Sequence, residues 1–140
     1  MSVFEILLPV FALIALTFGL MFRMGFLRVR ATTTREVQIR DIALGQSAWP
    51  QSIVKVDRAF HNQFELPVLF YVLIALLLIT RSGDNLLNIL SWLFVALRYA
   101  HAFVHTTSNH VPRRFQLFAA GAVVLVVMWA LFAIRIAWAY

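Results

Sequence analysis

Four long apolar stretches, about Val3 to Phe22, Val54 to Thr80, Asn85 to Val104 and Phe115 to Ala139, take up most of the chain. Each is near or above the roughly 20 residues that an α-helix needs to cross a bilayer. The pattern predicts membrane helices over about residues 3–24, 52–80, 85–106 and 113–139. The fold class expected is all-α: an integral membrane four-helix bundle, with residues 1–140 as one domain. Only the connection from Arg23 to Ile53 is long. Within it, Thr33, Thr34, Arg35 and Glu36 have the form of a capping box, which predicts a short helix to about Leu44. Gly45, Gln46, Ser47, Trp49 and Pro50 would end that helix, and Trp49 suits the membrane interface. Arg81, Ser82, Gly83 and Asp84 read as a tight turn, so the second and third helices are antiparallel neighbours. The run from Thr107 to Pro112 ends the third helix, and Pro112 suits the start of the fourth.

Polar positions inside these stretches are few and spaced to a helix. Arg58, His61, Asn62 and Glu65 stand at i, i+3, i+4 and i+7, which places them on one face of a continuous helix. Arg98, His101 and His105 repeat the device at i, i+3 and i+7. Ionisable groups in a membrane span usually face a bundle interior or a wet cavity. Arg58 and Arg114, near helix ends, also suit snorkelling to the headgroups. For Glu65 the structural alternative is an ion pair with Arg98 or Arg58. The functional alternative is a site that pairs the carboxylates of a ligand with arginines, and its ammonium with Glu65. His101 and His105 have a spacing that can place two imidazoles on one metal, and haem would need a facing ligand such as His61. No HExxH glutamate accompanies them, and the reading adopted is a site without metal. Glu5 reads as an interface residue and His110 as a solvated loop residue.

Composition sharpens this picture. The 140 residues are 62% hydrophobic and only 13% charged, with no cysteine and a net charge of +6. Absence of cysteine excludes disulfides, thiolate metal sites and a protein thiol nucleophile. In a membrane protein the positive charge reports topology rather than nucleic-acid binding. Arg23, Arg28, Arg30, Arg35, Arg40, Lys55 and Arg58 fall in or beside the first connection, and Arg113 and Arg114 close the third. By the positive-inside rule these connections are cytoplasmic and both termini lie outside. The first helix has no basic residues before its apolar run, so it reads as a retained anchor rather than a signal peptide. There is no GxGxxG and no P-loop.

The segment from Arg58 through Asn62 and Glu65 to Pro67 resembles the MAPEG family, the membrane-associated proteins of eicosanoid and glutathione metabolism. Arg98, Tyr99, Ala100 and His101 form a second match, and Pro112, Arg113 and Arg114 a third, in the family's order. The resemblance covers essentially the whole chain and is closest to the short bacterial members, which implies a bacterial inner membrane with both termini periplasmic. It implies a homotrimer with glutathione as cosubstrate between subunits. Arg58, His61, Asn62, Glu65, Arg98, His101 and His105 would surround that ligand, and Arg114 would activate its thiol. The activity implied is a glutathione-dependent transferase or peroxidase acting on a lipophilic small molecule drawn from the membrane lipids. This sequence departs from the family pattern at three places. His61 stands where the prostaglandin synthase branch has arginine, and His105 and Phe118 stand where well-studied enzymes have tyrosine. The rival readings are a non-catalytic ligand-binding or membrane-organising protein of the same fold, and a small proton-coupled exporter using Glu65 as its titrating acid.

Overall fold

A computed structural model describes residues 1–43 and 48–139. Among them the regular elements are all helical: α1 (Val3–Thr33), α2 (Ile39–Ile42), α3 (Gln51–His61), α4 (Leu66–Ile79), α5 (Asn85–Thr106) and α6 (Val111–Ala139), with a 3-10 turn at Asn62–Phe64 between α3 and α4. Four stretches are long and apolar enough to cross a membrane, α3 and α4 together making the second.

Helix α1 corrects the expected boundary near residue 24. It continues to Thr33, about 46 Å at 1.5 Å per residue, well beyond a hydrocarbon core of about 30 Å. The basic residues that read as a loop belong to its final turns, because those turns have a partner. Leu20 packs with Val56 and Ala59 of α3, and Ala31 packs with Ile53 and Val37. Arg28 donates to Asp57 across this contact at 2.6 Å. Tertiary packing here outweighs the charge pattern.

The capping box expected at Thr33 to Glu36 is not formed. Thr34 is the C-cap of α1, Arg35 takes a left-handed φ of 56°, and α2 begins only at Ile39 without a side-chain cap. Leu44 and the stretch Gly45 to Ser47, expected to end a helix there, lie outside the described residues. The capping box that does form is at the other end of α1. Ser2 accepts from the Glu5 N–H at 3.2 Å, and Glu5 accepts from the Ser2 N–H at 2.6 Å. Glu5, read as an interface residue, is therefore a cap.

The second span is also not one helix. Glu65 sits at φ −97°, ψ −107°, and Pro67 lies in the first turn of α4. Proline lacks an N–H and its ring crowds the carbonyl four residues back, so the helix breaks between Asn62 and Leu66. This break positions the site, because the Asn62 carbonyl, which keeps only a long 3.5 Å bond from the Glu65 N–H, also accepts from a side chain of α5.

The turn between the second and third spans forms as expected, with Arg81 left-handed at φ 53°. Gly83 packs tightly against the first helix. A Cβ there would lie 3.0 Å from Ile6 Cδ1. Asp84 caps α5 by accepting from the Leu87 N–H at 2.9 Å, and its other oxygen meets Arg135 of α6 at 2.6 Å. The hydrogen bond from Arg135 holds the Asp84 carboxyl below its usual range, against the opposing effect of partial burial. Arg135 also donates to the Ser82 carbonyl, tying α6 to this turn.

The main core joins all four spans. Leu13, Phe70, Leu73, Leu77, Phe94, Leu125 and Met128 are buried together, with the Phe70 and Phe94 rings stacked at 4.9 Å. Gly121 of α6 faces the Phe94 ring, at a distance that would hold a Cβ in ordinary contact. A second, smaller cluster unites Leu20, Val56, Ala59 and Ala102. Along α5, Arg98 falls one turn after Phe94 and one turn before Ala102. The polar layer is thus set between two apolar ones.

Candidate binding site

Arg98 is 1% exposed. Its Nη2 donates to the carbonyl of Asn62 at 3.0 Å and to the Asn62 side-chain oxygen. The Asn62 amide nitrogen then donates to Glu65 Oε2 at 3.0 Å. Arg98, Asn62 and Glu65 form one chain of hydrogen bonds, ordered by the break that Pro67 imposes. Nε and Nη1 of Arg98 are buried without a hydrogen-bond partner. A buried guanidinium held only by a neutral amide and a carbonyl is incomplete, since a buried charge is costly unless paired.

A pocket of about 280 Å³ opens beside this chain, lined by Asn62, Glu65, His101, Val111, Arg114, Phe115 and Phe118. Its walls divide by chemistry. Asn62, Glu65, His101 and Arg114 are polar, while Val111, Phe115 and Phe118 continue into the exposed apolar surface of α6. Arg114 is fixed by donating to Asn109 at 2.6 Å. Asn109 itself has φ 51°, a left-handed conformation that asparagine tolerates. His101 is buried, its ring centroid 6.1 Å from Phe118 and 5.5 Å from His105. His101 Nδ1 and both ring nitrogens of His105 are buried with no partner.

The sequence-predicted residues therefore separate. Asn62, Glu65, His101 and Arg114 meet at the pocket, with Arg98 directly behind Asn62 and His105 behind His101. Glu65 makes no ion pair with Arg58 or Arg98 among the described residues. Asn62 lies between it and Arg98, which corrects the direct pair expected from spacing. His61 does not share a face with Asn62 and Glu65. It is largely exposed, packs edge-on to Phe60, and its Nδ1 donates to the Asp57 carbonyl at 2.8 Å. Arg58 is exposed and does not line the pocket. His101 and His105 are adjacent, and no group of three His, Asp or Glu side chains that could hold a metal occurs among the described residues.

Three polar residues escaped the sequence reading. Asp57 is buried and joins Arg28, whose guanidinium also lies 5.2 Å from the Trp49 ring centre. Gln63 is 1% exposed, and its amide donates to the Ala59 carbonyl at 3.3 Å. Asn109 holds Arg114. For Asp57 a signal was present: a lone carboxylate between Val56 and Ala59 on an apolar helical face.

Among models of known families, the MAPEG family matches residues 6–134. No curated protein and no solved structure matches the chain.

Proposed function

The chain belongs to the MAPEG family, and from that premise we propose that it binds glutathione in the pocket between the α3–α4 break, α5 and α6 and uses it as a transferase or peroxidase on lipophilic electrophiles. The observation that carries this reading is the incomplete pairing of Arg98. The pocket region gathers Arg98 and Arg114 against one carboxylate, Glu65, so the protein supplies more cationic than anionic groups. Glutathione brings two carboxylates and one ammonium, which complement the arginines and Glu65 respectively. The apolar wall of Val111, Phe115 and Phe118 offers a place for a second, lipophilic reactant.

Arg114 has the task of favouring the thiolate over the thiol, since a neighbouring cation lowers a thiol's pKa. In the transferase step the thiolate sulfur forms a bond to an electrophilic carbon, the leaving group departs with its electron pair, and the thiol proton passes to solvent. Arg114→Ala should lower turnover of an aryl halide with glutathione by about 100- to 1,000-fold, the scale of removing one electrostatic stabiliser, with a smaller effect on glutathione affinity. Equal turnover in wild type and variant would remove Arg114 from the chemistry. Saturable glutathione binding with no turnover would instead favour a ligand-binding protein of this fold. That second reading draws on His105 and Phe118, which leave the pocket without a tyrosine hydroxyl.

A homotrimer completes the proposal. The outward face of the second span exposes Phe64, Glu65, Val68, Leu69 and Val72, and a carboxylate on an outward face of a membrane helix calls for a neighbouring subunit. Native mass spectrometry in mild detergent should give the trimer mass, and monomer or dimer alone would count against it. The topology proposed is a bacterial inner membrane with both termini periplasmic, from the clustering of basic residues at one end of the bundle. A C-terminal alkaline phosphatase fusion should be active. An inactive phosphatase fusion beside a fluorescent protein fusion that glows would reverse the orientation.

A further inference from the structure

Helix α5 has two working faces. One turns His101 toward Phe118 and the pocket. The other turns Tyr99, Phe103 and Thr106 toward α1, where a separate groove of about 340 Å³ opens. Ala15, Leu16, Leu20, Ala102 and Phe103 give it apolar walls. Gly19 faces open space in it, with nothing within 4 Å of where a Cβ would stand. Arg23, four residues beyond Gly19 and on the same helical face, closes one end. Thr106, the last residue of α5, lies at that end too, so Arg23 stands where the third span meets the headgroup region. Arg23 is exposed and has no ion pair among the described residues. The neighbouring Arg28, by contrast, is committed to Asp57 and Trp49.

An apolar slot running into the membrane from an exposed arginine at headgroup depth is complementary to an anionic amphiphile. Its acyl chain would fill the space that Gly19 leaves, and its phosphate would accept from the guanidinium. We propose that the α1–α5 groove is a specific site for an anionic phospholipid of the surrounding bilayer. Its phosphate lies on Arg23 and one of its acyl chains lies over Gly19. A zwitterionic lipid shares the chain but offers no net charge to Arg23. The site is separate from the glutathione pocket and does not depend on that reading.

The test is native mass spectrometry of the full chain with phosphatidylglycerol and phosphatidylcholine of matched chain length, added at equal concentration. Wild type should retain phosphatidylglycerol over phosphatidylcholine by about fivefold, the scale of one basic residue at a membrane surface. Arg23→Gln should bring that ratio close to one, whereas Arg40→Gln, an exposed arginine outside the groove, should leave it unchanged. Gly19→Leu should reduce retention of both lipids without altering the oligomer mass. No preference in wild type, or a preference that survives Arg23→Gln, overturns the proposal. So does a Gly19→Leu variant that changes the oligomer mass while keeping its lipids, because the groove would then be covered by a second copy of the chain.

Discussion

Arg98→Met is expected to leave a folded protein that has lost most of its affinity for glutathione. Arg98 is 1% exposed and is held only by the carbonyl and amide of Asn62, with two nitrogens unpartnered. Its charge therefore stabilises the empty bundle little. Replacing an incompletely paired buried charge by an apolar side chain of similar length is often neutral or stabilising. With glutathione bound as proposed the situation should reverse, since a ligand carboxylate reaching past Asn62 would supply the missing anion. Losing one partner of a buried charge pair costs about 2–5 kcal/mol of binding, at least a 30-fold rise in Kd. Arg98→Lys should recover only part of this, because a point charge cannot reproduce the planar fork that meets Asn62 and a carboxylate together. Calorimetry for affinity and thermal unfolding in detergent for stability separate the two effects. An Arg98→Met protein that fails to fold, or one that binds glutathione as wild type does, would contradict this assignment.

Glu65→Gln is the second large effect expected. The glutamine keeps the shape and can still accept from the Asn62 amide, which now reaches Glu65 Oε2 at 3.0 Å. It removes the only carboxylate lining the pocket, the group proposed to meet the ligand's ammonium. The loss should be on the order of 1–3 kcal/mol of binding, the worth of a charge-assisted hydrogen bond, with the proposed trimer intact. If the variant yields no trimer, Glu65 belongs to the subunit seam rather than to the ligand site.

These two residues also mark how far the chain could be read without its structure. The spans were legible because each apolar run matches a membrane helix in length, and the third helix begins and ends where hydropathy places it. The first was cut short because Arg23, Arg28 and Arg30 read as a loop. Only the packing of Leu20, Leu27 and Ala31 against α3 explains why the helix outlasts its charges. Pro67 is visible in the sequence, yet the spacing describes a continuous helical face through the residues before it. The break it causes turns His61 away, brings Asn62 onto Arg98 and interposes Asn62 between Arg98 and Glu65. Spacing alone cannot show this, because i, i+3, i+4 and i+7 describe a face only while the helix stays regular. His101, Asn62, Glu65 and Arg114 were legible from motif and pattern together. The support of Arg114 by Asn109 was not, since it depends on a left-handed turn five residues upstream.

The central claim is that the pocket beside the Arg98, Asn62 and Glu65 chain receives glutathione. Isothermal titration calorimetry of the wild-type protein in detergent tests it most directly. The account predicts saturable binding at or below millimolar glutathione, weakened by Arg98→Met and Glu65→Gln. Absence of any saturable heat from wild type at millimolar glutathione would contradict it.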